Sequence, residues 1–153
     1  MIPPARIDEQ VDRFRLGADQ ESAARHVLGS GRRVDAVVGP AGTGKTHTTA
    51  AIAAAWEADG RPVLGLALSQ NAAQVLAEAS GNPAENIAKW LFENSRGTPG
   101  WQVIPGQLVI VDEAGMVPTG QLDQVTGRVI ATYSPSRQVR SLITACAVST
   151  VRP

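Results

Sequence analysis

The chain has a single cysteine, only 4% aromatic residues, and no uninterrupted apolar run near the ~20 residues that cross a bilayer. Cys146 has no partner, so the fold cannot lean on an internal disulfide, and a reducing cytoplasm is the expected location. Its neighbours in Ile143-Thr144-Ala145-Cys146-Ala147-Val148 are apolar or small and offer nothing to stabilise a thiolate, which makes a structural thiol the expectation. The opening residues, Met1-Ile2-Pro3-Pro4-Ala5-Arg6, lack the apolar core of a signal peptide, so neither export nor membrane insertion is expected. An excess of either charge is also missing, with 14 basic and 14 acidic side chains. That balance hides an asymmetry: every acidic residue falls at or before Asp123, while Arg128, Arg137, Arg140 and Arg152 follow it. Four scattered arginines without interleaved aromatics are thin grounds for a nucleic-acid-binding tail.

What the chain does have is enough apolar sequence for one domain. At 153 residues and 43% hydrophobic content, a core forms without metal or disulfide staples. Strand-like and helix-like segments alternate from about residue 20 to residue 125, the pattern of a parallel sheet covered by helices. Gln20 to Leu28 has Ala24, Val27 and Leu28 at helical spacing, stopped by Gly29 and Gly31. Val34 to Val38 reads as a strand. Lys45 to Asp59 is an alanine-dominated helix with Ile52 and Trp56 on one face and Gly60 as its cap. Pro62 to Leu68 reads as a strand buried on both faces, followed by a helix through Ala72, Val75, Leu76 and Ala79 and another at Ile87 to Phe92. Asn94 to Gly106 is a surface loop, and Leu108-Val109-Ile110-Val111 is a third strand ending in Asp112-Glu113. Beyond Val125, Gly127 to Tyr133 and Val139 to Val148 read as strands around Ser134-Pro135-Ser136, with no repeating α/β unit.

The chemistry concentrates in Gly39-Pro40-Ala41-Gly42-Thr43-Gly44-Lys45-Thr46, an intact G-x-x-x-x-G-K-[ST] or Walker A pattern between a strand and a helix. Gly42 and Gly44 can take positive φ and turn backbone N–H groups toward phosphate oxygens. Lys45 supplies a cation for the terminal phosphates, Thr46 a hydroxyl for Mg²⁺, and the helix start a positive dipole end. A plain glycine turn would have no use for Lys-Thr in register. Asp112, closing an apolar strand, is placed like a Walker B carboxylate that holds the metal, and Glu113 like the base that orients water. By itself an Asp-Glu pair could equally be a helix cap. His47 adjoins the loop and is counted with its nucleotide-binding residues, although it sits on the first helical turn with no carboxylate partner, which favours a structural role. His26 reads as a surface helix residue.

Gly39–Thr46 as GPAGTGKT, Val111–Met116 as VDEAGM, and Gln20 upstream together resemble a superfamily 1 DNA helicase. The likeness is to the RecD-like helicase region of MobF-type conjugative relaxases, and it runs from about Leu16 to about Val125. Gly65-Leu66-Ala67-Leu68-Ser69-Gln70-Asn71-Ala72-Ala73 and Ile87-Ala88-Lys89-Trp90-Leu91 resemble two further motifs of that family. The resemblance implies a RecA-like P-loop fold of α/β class, of which this chain is an incomplete first lobe. It implies ATP and Mg²⁺ as cofactors, single-stranded DNA as partner, Gln20 on the adenine edge, and Ser69 and Asn71 facing DNA. It also implies that Lys45 and Glu113 serve hydrolysis. Trp56 and Trp90 are expected in the core rather than as base-stacking platforms, and Trp101 is the better candidate for exposed contact.

The Gly-Asp-x-x-Gln element expected after the Asp-Glu strand, an arginine-finger motif, the second lobe and the relaxase module with its histidine cluster do not occur here. Tyr133 has no such cluster to work with. The missing parts are expected on other polypeptides. Residues 126–153 are expected to be a divergent tail, from a shifted reading frame or a truncation. A small P-loop phosphotransferase is an alternative, but its lid needs paired arginines, and only Arg61 and Arg96 lie between the loop and Asp112. A third alternative is a non-enzymatic remnant. Translating the encoding DNA in its other frames is expected to restore the Gly-Asp-x-x-Gln element; its absence from every frame would contradict the shifted-frame expectation.

Overall fold

A strand of four consecutive apolar residues must be covered on both faces, and Leu108–Val111 is such a strand, with every side chain buried. The computed structural model describes residues 2–40, 42–132 and 140–146, the last as backbone only. Its elements are α1 (Pro4–Phe14), α2 (Ala18–Gly29), β1 (Val34–Gly39), α3 (Lys45–Ala58), β2 (Val63–Ala67), α4 (Gln70–Ser80), β3 (Ala84–Asn86), α5 (Ile87–Ser95), β4 (Leu108–Val111), α6 (Thr119–Ala131) and β5 (Arg140–Cys146). The strands form one five-stranded sheet in the order β1-β5-β4-β2-β3, and all four pairings are parallel. The α/β parallel architecture expected from the alternation is therefore present.

β4 divides its side chains between two cores. Leu108 and Ile110 join Ile7 and Val11 of α1, Val27 and Leu28 of α2, and Ile52 and Trp56 of α3. Val109 and Val111 join Ile87 and Trp90 of α5 with Val125 and Val129 of α6 on the opposite face. Full burial of each large aliphatic chain contributes roughly 1.5–3 kcal/mol, so the central strand fixes both helical layers. Trp56 and Trp90 are core residues, each 1% exposed, as their sequence context suggests. The Trp56 indole N–H donates to the Gly106 carbonyl at 2.9 Å and so pins the chain just before β4. Among the described residues, no helix is long and apolar enough to cross a membrane.

Three features depart from the sequence reading. α1 was not anticipated, although Ile7, Val11 and Phe14 are spaced for one helical face; its many charged residues mask that stripe. Gly127 to Ala131 is helix rather than strand, because Val125 and Val129, four residues apart, both reach the core at 0% exposure. The local Val-Ile β preference yields to that burial. Arg140–Cys146 does form a strand, and β4, α6 and β5 make a further crossover unit where none was expected. The boundary drawn at residue 125 thus falls inside α6. Tyr133 and Ser134-Pro135-Ser136 lie outside the described residues.

Packing is tight where β2 meets α4: a Cβ on Gly65 would stand 2.8 Å from Leu76 Cδ2 and 2.9 Å from Ala84 Cβ. Gly65→Ala is therefore expected to destabilise the domain by about 1–3 kcal/mol in urea unfolding. Gln10, 4% exposed on α1, buries an Oε1 that accepts no hydrogen bond among the described residues. Gln10→Leu is expected to raise stability by about 1 kcal/mol, measured the same way.

Candidate functional site: a phosphate loop and its surroundings

Gly39 ends β1 and Lys45 begins α3, so the glycine loop must reverse the chain within a few residues. Gly42 and Gly44 do so with φ of 79° and 73°, a region that side chains with a Cβ disfavour. Thr43 Oγ1 donates to the Pro40 carbonyl at 2.8 Å, closing the turn on itself. Lys45 Nζ donates to the carbonyls of Gly39 at 2.8 Å and Pro40 at 2.6 Å, laying the ammonium across the loop. Thr46 is exposed on the first turn of α3, and Thr48 N bonds the Gly44 carbonyl, so α3 propagates from the loop itself. Ala41 lies outside the described residues.

Gln20 touches the loop from the side. Its Oε1 accepts from Gly17 N at 3.0 Å and its Nε2 donates to the Thr43 carbonyl at 3.1 Å. A Cβ on Gly44 would displace that amide nitrogen, the free end of a flexible side chain, so it is the left-handed φ that calls for glycine there. A cleft of about 210 Å³ opens between α2 and the loop, lined by Asp19, Gln20, Val37, Gly39, Thr43 and Lys45 among others. His47 turns to α1: Nε2 bonds the Phe14 carbonyl at 2.7 Å, and the two rings stand 5.5 Å apart. His26 is 61% exposed and 3.9 Å from Asp35 Oδ1, as befits a surface helix residue.

Asp112 follows β4 on the same sheet edge as the loop. Val111 and Ala36 both pair with Ile143, so Asp112 stands level with Val37, two strands across with β5 between. Two inter-strand spacings of about 4.8 Å put the two backbone columns roughly 10 Å apart. Asp112 does not line the cleft. Glu113 is exposed and left-handed at φ 49°, and its N–H donates to Asp112 Oδ1 at 3.0 Å. A non-glycine residue in that region carries roughly 1–2 kcal/mol of strain, the kind that clusters at functional turns.

Ser69 and Asn71 are both exposed at the start of α4, on this same edge. Ser69 Oγ caps α4 by accepting from Ala72 N at 3.1 Å. Asn86, not singled out in the sequence, braces this corner: it caps α5 through Lys89 N and donates Nδ2 to the Leu68 carbonyl at 3.1 Å. Its signal is an ordinary one, Asn immediately ahead of a helical apolar run. Trp101 is half-buried against the α5–α6 core with the Lys89 ammonium 5.0 Å from its ring, so it is less open than its glycine-rich loop suggested.

A strand, a glycine loop with two left-handed turns, and a lysine at the helix start now stand together, and a family model described as an AAA domain matches residues 15–134. The chain belongs to that family. Conjugal transfer protein TraA of Rhizobium radiobacter is 37% identical over 122 residues, 79% of this chain and 11% of the relative. Probable conjugal transfer protein TraA of Sinorhizobium fredii (strain NBRC 101917 / NGR234) is 37% identical over 108 residues, 71% of this chain and 10% of the relative. TraA of Agrobacterium fabrum (strain C58 / ATCC 33970) is 37% identical over 109 residues, with the same coverage. The chain thus spans about a tenth of the length of the curated relatives it matches. These matches agree with the RecD-like, conjugative-helicase resemblance and with a RecA-like P-loop fold. They make this a nucleotide-binding domain of helicase-related type.

Gly44→Ala puts a Cβ on a left-handed residue and is expected to destabilise the domain by about 1–2 kcal/mol. Glu113→Gly relieves a left-handed residue and is expected to stabilise it by about 1 kcal/mol. Urea unfolding of the two variants checks both signs.

Proposed function

We propose that this domain binds ATP with Mg²⁺ at the Gly39–Thr46 loop and single-stranded DNA at the start of α4, as the ATP-binding part of a conjugative helicase. The observation that carries the reading is the loop itself: two left-handed glycines, an ammonium held across the turn, and a helix N-terminus in one place. In this proposal triphosphate oxygens replace the Gly39 and Pro40 carbonyls as acceptors for Lys45, and Gln20 meets the adenine edge. The exchange is favourable because it sets the ammonium against an anionic oxygen instead of a neutral carbonyl dipole.

The residues fit a magnesium ion that depends on its nucleotide. Among the described residues no group of three or more His, Cys, Asp or Glu side chains could hold a metal unaided. Magnesium at such sites takes one or two protein ligands, with phosphates and water completing its shell. Thr46 and Asp112 would hold it, and it would neutralise charge on the phosphates. Glu113, exposed beside Asp112, would orient the attacking water. Ser69 and Asn71 would meet the DNA backbone.

Translocation needs two lobes moving against each other. We therefore expect this single lobe not to unwind DNA by itself. An arginine finger is worth about 10³–10⁵ in turnover, so hydrolysis without one stays near background. Of the tail expected at 126–153, the part beyond residue 134, where the family match ends, is proposed to be divergent in sequence, and the cytoplasm is the proposed location.

Titration with a fluorescent ATP analogue and Mg²⁺ tests the reading. Lys45→Ala is expected to weaken binding by about 10–150-fold, the value of one charge-assisted hydrogen bond. Equal affinity in the variant would remove the loop from the site. Stimulation of residual ATP hydrolysis by single-stranded DNA is expected in the intact domain, and its lack would argue against the DNA assignment.

A further inference from the structure

The last carbonyls of a helix have no partner within it and must find donors elsewhere. At the end of α1, Val11 O accepts from Leu16 N at 3.2 Å and Asp12 O from Arg15 N at 3.1 Å. Phe14 O is served from outside, by His47 Nε2 on the first turn of α3 at 2.7 Å. A carbonyl oxygen only accepts, so Nε2 carries the proton. The Phe14 ring tilts against the imidazole at 58° and reinforces the contact.

The chain that leaves this contact returns to the loop. Arg15 is left-handed at φ 49°, which turns the backbone sharply; Gly17 N then donates to Gln20 Oε1, and Gln20 Nε2 donates to Thr43 O. The junction of loop and α3 is therefore gripped on two flanks four residues apart, at Thr43 by Gln20 and at position 47 by the histidine. The 14–17 connection closes the circuit between them. The left-handed Arg15 closes α1 locally, through its own N–H on Asp12 O and Leu16 N on Val11 O, and directs the chain toward the loop.

We propose that His47 is a positioning residue: it fixes the end of α1 on the first turn of α3, so that docking of α1 and the geometry of the phosphate loop form one cooperative unit. His47 acts through Phe14 and the 14–17 connection and does not itself contact the triphosphate. This inference rests on the triphosphate site proposed above. Linkage then requires that nucleotide binding tighten α1 and that loosening α1 weaken nucleotide binding by the same factor.

The experiment is amide hydrogen exchange of residues 4–14, with and without a non-hydrolysable ATP analogue and Mg²⁺, alongside equilibrium binding. In the unmodified domain the analogue is expected to slow exchange in α1 by about 5-fold or more. His47→Ala is expected to abolish that slowing and to weaken binding by about 5–10-fold. His47→Gln, which keeps an N–H at similar reach, is expected to retain most of both effects. Should the analogue bind the unmodified domain and leave α1 exchange unchanged, the coupling is overturned while the binding site stands. Equal losses in His47→Gln and His47→Ala overturn the role of the hydrogen bond. Failure of the underlying site looks different: the unmodified domain does not bind the analogue, or binds it no better than Lys45→Ala does, and the coupling then fails with it.

Discussion

The phosphate loop depends on a backbone reversal that only glycine makes comfortably. β1 is held from below by Val37 against the α1–α3 core, and α3 is held by Ile52 and Trp56 in that same core. The two ends of the loop are thus fixed before the loop itself is considered. Gly42 and Gly44, both left-handed, absorb the turn, and the Lys45 ammonium lies over the carbonyls that the turn leaves exposed. A cation, two open backbone positions and a helix start are brought together by burial elsewhere.

The second half of the candidate site is placed by the sheet rather than by side-chain contact. β4 is buried on both faces and parallel to its neighbours, so its C-terminal end must lie on the same edge as the end of β1. β5 stands between them and sets the separation. Two strand spacings put roughly 10 Å between the two backbone columns. α4 also begins on this edge, so one rim carries the loop, the Asp-Glu turn and the Ser69 corner.

Much of this was legible in the sequence because the signals were local. The strand at Leu108–Val111 matched residue for residue, since four apolar side chains in a row leave little alternative to a fully buried strand. α3 began at Lys45 and closed near Gly60, as its alanine content and capping glycine indicate. Ser69 was a cap in sequence and is one in structure. What escaped depended on contacts distant along the chain. α1 finds its partners in α3, and the His47–Phe14 bond joins residues 33 positions apart with no local trace. The segment after Val125 was misread because β-branched residues on a helix look like a strand until their burial on one face is known. Gln20 was legible only through family resemblance, and its grip on Thr43 and Gly44 emerged from geometry.

The central claim is that a triphosphate seats on the backbone amides of this loop. Backbone amide resonances followed by NMR during titration with ATP and Mg²⁺ test it most directly. The account predicts that the largest shifts fall on Gly42, Thr43, Gly44, Lys45 and Thr46, with smaller ones at Asp112 and Glu113. Shifts concentrated instead on α5 and the Asn94–Gly106 loop, with Gly42 and Gly44 unmoved at saturation, would contradict it.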